Sequence, residues 1–486
     1  MMFARATVRV LGLGSTVVLA RLLAPADYGV IAAATAVAGA LELLTLFSFE
    51  SALIQQKHIA ADHYDSAWTL NVILGLTLGL ALIAVARPAA HFYREPRVAP
   101  VLMILAVKYV LDNAGNPGTV DFRRRLQFRT DFIMQVGPKL ASLPLTLVLA
   151  FWLRDYRALL CGMVASSIAS CAISYAVHPH RPRVCFAQAR TLFSFSRWLL
   201  LTNLVYFCRH RSADLIIGST LGAASLGTFS IACEISNLPS TEMVAPINRV
   251  LYPGYAQIAG DAERLRAAFC ATLGMIALAI LPVCLLIAAV SDPLVRLLLG
   301  QKWAAAAAPI SILALAGACA VLHSNTGSVY AALGKPKIAA LNGVANVALL
   351  LPALWVGVHF DGVAGVSAAV LALGVLGLFS TYFVFVRQTP IQVADIATVC
   401  WRPIVAGAIS YACVRAMLAS ITFPEGLLGS SLAVAAGLFL GATIDIAAVA
   451  VLWVTAGRPA GAESAALQQA AALAKRFTVR RALAGA

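Results

Sequence analysis

The chain has 486 residues, 61% of them hydrophobic and only 12% charged, with a mean hydropathy of +0.86. No soluble core uses so much apolar sequence, so the composition excludes an ordinary globular enzyme and points to an all-α polytopic membrane protein. The net charge of +15 invites a nucleic-acid reading, which the placement of the basic residues answers differently.

Apolar windows long enough to cross a hydrocarbon core of about 30 Å as helices fall at 7–23, 28–49, 67–86, 98–115, 131–153, 156–177, 198–218, 226–248, 267–290, 304–326, 338–358, 362–386, 396–419 and 428–456, which makes fourteen spans. Lys and Arg alternate between the loops. One set (the start, 50–66, 116–130, 178–197, 249–266, 327–337, 387–395 and the tail) carries 21, and the intervening loops carry six. By the positive-inside rule the rich set is cytoplasmic, so both termini are expected there. The basic runs at 123–129 and 178–183 then read as topology signals or as contacts with anionic headgroups. Arg21 and an Ala-Pro turn follow the first apolar run directly, so that run reads as a span and not as a secretory signal.

Taken in order, Thr16 to Leu44 reads as a helical hairpin. One span closes near Arg21, Pro25 and Asp27 make a tight turn, and Gly29 lets the next span pack closely on the first. A shift of 198 residues lays Arg21–Ala34 on Ser219–Ala232, with Leu23/Leu221, Ala26/Ala224, Gly29/Gly227 and Ala34/Ala232 identical. Four identities in fourteen are weak alone, yet both copies join windows at equivalent places, spans one and two against seven and eight. The expectation is a parallel repeat: two related six-helix lobes around a central cavity, residues 1–197 and 198–390, then two C-terminal helices within 391–456 and a basic tail over 457–486.

Charge inside the spans is the main functional signal. Span seven carries Arg209, His210, Arg211 and Asp214 near its middle. An Arg at the centre of a spanning helix costs about 2.5–3.5 kcal/mol unless water, a carboxylate or an anionic ligand meets it. Arg209 and Arg211 are therefore the first candidates to line a polar cavity, and Lys108 of span four, at similar depth in the other lobe, is the next. The competing reading is local neutralisation, because Asp214 follows His210 by four residues and Arg211 by three, and Asp112 follows Lys108 by four. Arg209 has no acid three or four residues away. Lys139, beside Gly137 and Pro138, fits either reading.

The acids within spans are Glu42, Glu50, Asp112, Asp214, Glu234, Glu242 and Asp445. Any of them can bind a coupling H+ or Na+, or counter an Arg. Glu42, Asp214 and Glu242 lead as coupling-ion or counter-charge candidates, Glu42 and Glu242 because they sit at similar depth in spans two and eight. Pro239 and Pro246 mark a bend in span eight. Ser291 to Trp303 reads as a short interfacial helix with Trp303 at headgroup level, acting as an anchor. In the tail, Lys475, Arg476, Arg480 and Arg481 allow either a helix on the cytoplasmic leaflet or disorder. Nine of the ten cysteines lie in or beside apolar windows without Cys-x-x-Cys or histidine spacing, so no metal is expected.

The phrases ARLLAPADYGVIA (20–32), RRLQFR (124–129), RHRSADLIIGSTLGAASLGTFSIA (209–232), PINRVLYPGYAQIAGDAERLRAAF (246–269), SDPLVRLLLGQKWAAAAAP (291–309) and AALGKPKIA (331–339) together resemble the polysaccharide-transporter branch of the multidrug/oligosaccharidyl-lipid/polysaccharide flippase superfamily. The resemblance is to the bacterial O-antigen and exopolysaccharide repeat-unit flippases. It implies a two-lobed transporter of the bacterial inner membrane with a cationic cavity, moving undecaprenyl-pyrophosphate-linked oligosaccharide from the cytoplasmic to the periplasmic leaflet by alternating access. A guanidinium matches phosphate oxygens with paired donors, so Arg209, Arg211 and Lys108 are the expected pyrophosphate contacts. A polysaccharide polymerase and a chain-length regulator are candidate partners. Nucleic acid is not expected, and no cofactor beyond a coupling ion.

Rival readings fare less well. The chain has no G-x-x-x-x-G-K-[ST] loop, so it binds no nucleotide by that device. A membrane-embedded polymerase or ligase is expected to carry a large periplasmic loop, which is missing. A multidrug or cation exporter of the same superfamily favours acidic cavity residues, against the arginines of span seven.

Overall fold

In the computed structural model the described residues are 2–43, 53, 61–125, 127–188, 199–459, 461–464 and 467–468, and among them there is no strand. Over its described residues every apolar window falls largely on helix. In the first half these are α1 (Met2–Leu22), α2 (Pro25–Glu42), α3 (Ala61–Phe92), α4 (Val98–Asn113), the short α5 (Val120–Arg124), α6 (Phe128–Leu153), α7 (Tyr156–Val177) and α8 (Leu199–Leu221). The second half continues with α9 (Ala223–Ser236), α10 (Ala245–Gln257), α11 (Ala262–Ala289), α12 (Ser291–Leu298), α13 (Ala307–Leu322), α14 (Thr326–Ala332), α15 (Pro336–Gln388), α16 (Val393–Ser420) and α17 (Leu427–Thr455). The break between windows eleven and twelve is Asp361–Gly362 inside α15, where Gly362 takes a φ of 51°. Eight helices among the described residues are long and apolar enough to cross a membrane, counting α15 once. Fourteen crossings remain part of the reading proposed below.

Compactness divides the chain into residues 1–230 with 298–303, and residues 231–297 with 304–486. The first unit therefore holds α8 and the start of α9 along with α1 to α7, and extends past residue 197, where the repeat ends the N-terminal lobe. The two repeated hairpins are the reason. A methyl group at Gly29 would fall 1.6 Å from the Ala223 carbonyl oxygen, and one at Gly227 would fall 1.9 Å from that of Pro25. Each glycine thus lies on the first helical residue of the other hairpin. Small residues let helix backbones meet where lipid gives no hydrophobic drive.

Residues 298–303 join the first unit by closing the end of α1. The last carbonyls of a helix lack intrahelical partners, and here Trp303 Nε1 donates to Ala20 at 2.8 Å and Lys302 Nζ to Arg21 at 2.8 Å. Arg21 Nε returns a bond to the Leu298 carbonyl at 3.2 Å, and Tyr28 meets the Trp303 ring edge-on at 5.3 Å. The α12 helix forms as expected, and Trp303 is fully buried within the protein. Its indole is held by a tertiary contact that membrane-interface rules do not consider. Trp303→Ala is expected to destabilise the protein by about 3–5 kcal/mol, and Trp303→Phe by about 1 kcal/mol through the lost hydrogen bond. Thermal melts in detergent measure both.

The basic loop at 178–186 is pinned in place. His180 Nε2 lies 2.9 Å from Asp65 Oδ1, Arg183 donates its backbone N–H to the same carboxylate at 3.1 Å, and Asn116 Nδ2 donates to the His180 carbonyl at 2.8 Å. At the opposite end of α3, Arg97 forks onto Glu95 at 2.9 and 3.0 Å, which holds that carboxyl below its usual range.

In the second unit Phe269, Phe385 and Tyr330 stack at 5.0 and 5.4 Å around a core shared by α10, α11, α14, α15 and α16. The bend expected from Pro239 and Pro246 is a π-helical turn, Ser240–Val244. After α17 the chain folds back, and Glu463 accepts from Arg402 Nε at 2.7 Å with both side chains buried. Glu50, Lys475, Arg476, Arg480 and Arg481 lie outside the described residues.

Candidate functional site

Three helices of the first unit bring the intramembrane charges together. Glu42 ends α2, and its carboxylate accepts from Tyr109 Oη of α4 at 3.4 Å. One residue before Tyr109, Lys108 pairs with Asp112 at 2.6 Å along the same helix face. On α8, Arg211 donates from a guanidinium NH2 group to Asp214 Oδ2 at 3.0 Å. The α2 helix packs against both α4 and α8, which brings Glu42 and Tyr109 into the neighbourhood of Lys108, Asp112 and Arg211. Asp214 is buried, Lys108 and Arg211 half-buried, and Arg209 exposed.

Local packing fixes this arrangement. Gly75 and Gly79 of α3 admit α4 so closely that a methyl group on either would meet Asn113 or Val110 within 3.1 Å. Gly218 of α8 seats the ring of Tyr93, which is 3% exposed, and its hydroxyl finds no partner among the described residues. Both Arg211 and Asp214 act on Tyr93. A buried phenol with an unmet donor beside an ion pair is a polar group available to a ligand or to a rearranged Asp214.

The structure therefore unites Glu42, Lys108, Arg211 and Asp214 and pairs two of the cations with acids on their own helices. Arg209 makes no ion pair or hydrogen bond with any described residue. Glu242 lies exposed in the π-turn of the second unit. Lys139 lines a small cavity among α1, α6 and α7 with Ser15, Ser142, Thr146 and Ser166. Three of those hydroxyls donate to carbonyls of their own helices. Tyr93 and Tyr109 carry no sequence signal beyond their place beside a turn and beside Lys108. Among the described residues no cluster of His, Cys, Asp or Glu could hold a metal ion.

The site holds two cations, Lys108 and Arg211, against three acids, Glu42, Asp112 and Asp214, and Arg209, two residues before Arg211, lies on a different face of α8. An anion entering here can take over cations already held by carboxylates, so binding is an exchange of partners with no bare charge left in the membrane.

Residues 18–308 match the model of a family described as polysaccharide biosynthesis protein. The lipopolysaccharide biosynthesis protein WzxC of Escherichia coli (strain K12) is 25% identical over 388 residues, 79% of either chain. The succinoglycan biosynthesis transport protein ExoT of Rhizobium meliloti (strain 1021) is 26% identical over 300 residues, 61% of either chain. Among solved structures, the lipid II flippase MurJ in an inward closed conformation aligns with a TM-score of 0.72 at 12% identity, covering 94% of this chain and 99% of that one. An inward-facing MATE-family multidrug transporter of the MOP superfamily aligns with a TM-score of 0.61 at 14% identity, covering 78% of this chain and 95% of that one. These two likenesses show a shared transporter fold, and the chain is a multi-pass membrane protein.

Proposed function

The chain belongs to the polysaccharide biosynthesis protein family, and on that premise we propose that it flips undecaprenyl-pyrophosphate-linked oligosaccharide repeat units from the cytoplasmic to the periplasmic leaflet. It works by alternating access, as a carrier and not as an enzyme, in the bacterial inner membrane. The observation that carries the reading is the gathering of Lys108 and Arg211 with Glu42 on three helices of one unit, two residues from an exposed Arg209 that pairs with no described residue. The lipid tail stays in the bilayer, and only the pyrophosphate and the glycan need a polar route. Arg209 offers its fork to the pyrophosphate first, and Arg211 and Lys108 follow by releasing Asp214 and Asp112. Glu42, freed of neighbouring cations or holding them, resets the site, with Glu242 a further counter-charge on the other unit. Names of the relatives, among them a lipopolysaccharide biosynthesis protein and a succinoglycan biosynthesis transport protein, support this substrate class. A polymerase and a chain-length regulator are the partners that would receive the product.

The reading requires fourteen crossings with both termini in the cytoplasm. Alkaline phosphatase fused at Arg94 is expected to be active and at Pro459 inactive, and the reverse pattern would overturn the topology. Transport itself is tested by replacing the resident repeat-unit flippase of a polysaccharide-producing host. Surface polysaccharide should return with this chain and stay absent with an empty vector.

A further inference from the structure

We infer that Asp445 of α17 is a proton-binding site, and that exchange of its proton powers the proposed transport cycle. Asp445 is 6% exposed near the middle of α17, and its Oδ1 is sealed from solvent without a hydrogen-bond partner among the described residues. It is the one charged residue that α17 contains.

Among the described residues the surroundings supply no counter-charge. From α16 the facing residue is Gly407, where a methyl group would lie 3.9 Å from Oδ1, and from α11 the side chain of Leu285 closes the same space. Ser410, a turn along α16, already donates its hydroxyl to the Gly441 carbonyl at 2.8 Å. The charged groups of α16 are Asp395, Arg402 and Arg415. Asp395 is bonded to Arg266 and Arg402 to Glu463, while Arg415 lies eight residues beyond Gly407. Those of α11, Glu263, Arg264 and Arg266, stand in its first turns. The remaining titratable side chains on the packed stretches are Cys284 of α11 and Tyr411 and Cys413 of α16, and none bonds to Asp445.

A bare carboxylate at this depth carries an insertion cost of about 2.5–3.5 kcal/mol. A hard metal cation requires several oxygen ligands, and the walls here are glycine and leucine. The proton is therefore the cation that fits. With Oδ1 sealed between α11, α16 and α17, proton exchange at this carboxyl depends on how closely those helices pack, which ties it to a conformational step. Glu42 and Asp214 suit this role less well, because each already stands among cations. Gly437 and Gly441 seat Val290 and Leu286 of the α11 end against α17 and make this the closely packed face of the helix.

The site itself does not depend on the flippase reading, but its coupling role does. The test therefore has two arms. In the first, purified protein is treated with dicyclohexylcarbodiimide, which reacts with protonated carboxyls in apolar surroundings, and the adducts are mapped by mass spectrometry. An acylurea at Asp445 is expected, falling about tenfold per pH unit once the group ionises and absent in Asp445→Asn. No adduct, or one indifferent to pH, overturns the site. In the second arm, proteoliposomes bearing wild type or Asp445→Asn are given lipid-linked oligosaccharide under an imposed pH difference. Wild-type flux should respond to the gradient and the variant's should not, at equal protein abundance. An undiminished response in Asp445→Asn, or dependence on sodium in place of the gradient, overturns the coupling. If wild type labels as expected but moves no glycolipid, the flippase reading fails and the proton site stands.

Discussion

Gly29→Ala and Gly227→Ala are each expected to prevent stable accumulation of the protein, although each adds a single methyl group. The added carbon at Gly29 would lie 1.6 Å from the Ala223 carbonyl oxygen, and that at Gly227 2.8 Å from the Gly29 backbone nitrogen as well as 1.9 Å from the Pro25 oxygen. Those neighbours are backbone atoms at the starts of two helices, so relief requires whole helices to separate. Overpacking of a well-filled core costs about 1–3 kcal/mol where side chains can give, and here nothing flexible stands in the way. Membrane abundance and monodispersity in detergent measure the effect. Both variants should fail together, because the two glycines serve one crossing. Gly254→Ala, where a methyl group meets nothing within 4 Å, is the control. Normal accumulation of both hairpin variants would show that α2 and α9 do not meet as described.

Arg209→Ala is expected to stop transport while leaving the protein in the membrane at normal abundance. Arg209 is exposed and pairs with no described residue, so its removal orphans no described carboxylate and lifts an insertion cost of about 2.5–3.5 kcal/mol. Arg211→Ala is less clean, since it leaves the buried Asp214 without its partner 3.0 Å away and a loss of stability would imitate a loss of transport. Arg209→Lys separates charge from bidentate geometry. It should retain part of the flux if charge attracts the pyrophosphate and little if the guanidinium fork is required. Normal flux from Arg209→Ala at normal abundance would remove this residue from the mechanism.

Much of the architecture was legible because a bilayer enforces it. Helices must satisfy their own backbones in lipid, so the described part of each apolar window is largely helical, and bends fall at Pro239 and Pro246 and at the Asp361–Gly362 break between two windows. The i,i+3 and i,i+4 spacings foretold the Arg211–Asp214 and Lys108–Asp112 pairs, since such neighbours share a helix face. The repeat pointed to Gly29 and Gly227 as close-packing residues but not to their packing on each other. That contact joins residues nearly two hundred apart, and local spacing carries no trace of it. For the same reason the cap that Trp303 places on α1 and the burial of Arg402 with Glu463 went unseen. Glu42 was chosen for its depth, but its place beside Tyr109 and Arg211 required the fold. Asp445 stood among seven acids, behind Glu42, Asp214 and Glu242, until its surroundings showed it without a counter-charge among the described residues.

The central claim is that this chain carries a lipid-linked oligosaccharide across the membrane through a site that includes Arg209. Its most direct test is a protected-leaflet assay in proteoliposomes of purified protein. Undecaprenyl-pyrophosphate-linked oligosaccharide labelled on the glycan is placed in one leaflet, and its arrival in the other is read by accessibility to a membrane-impermeant lectin or glycosidase. Wild-type protein should move the label well above the rate of protein-free vesicles, Arg209→Ala should return it to that background, and free pyrophosphate should compete. Equal rates for wild type, Arg209→Ala and empty vesicles would contradict the account.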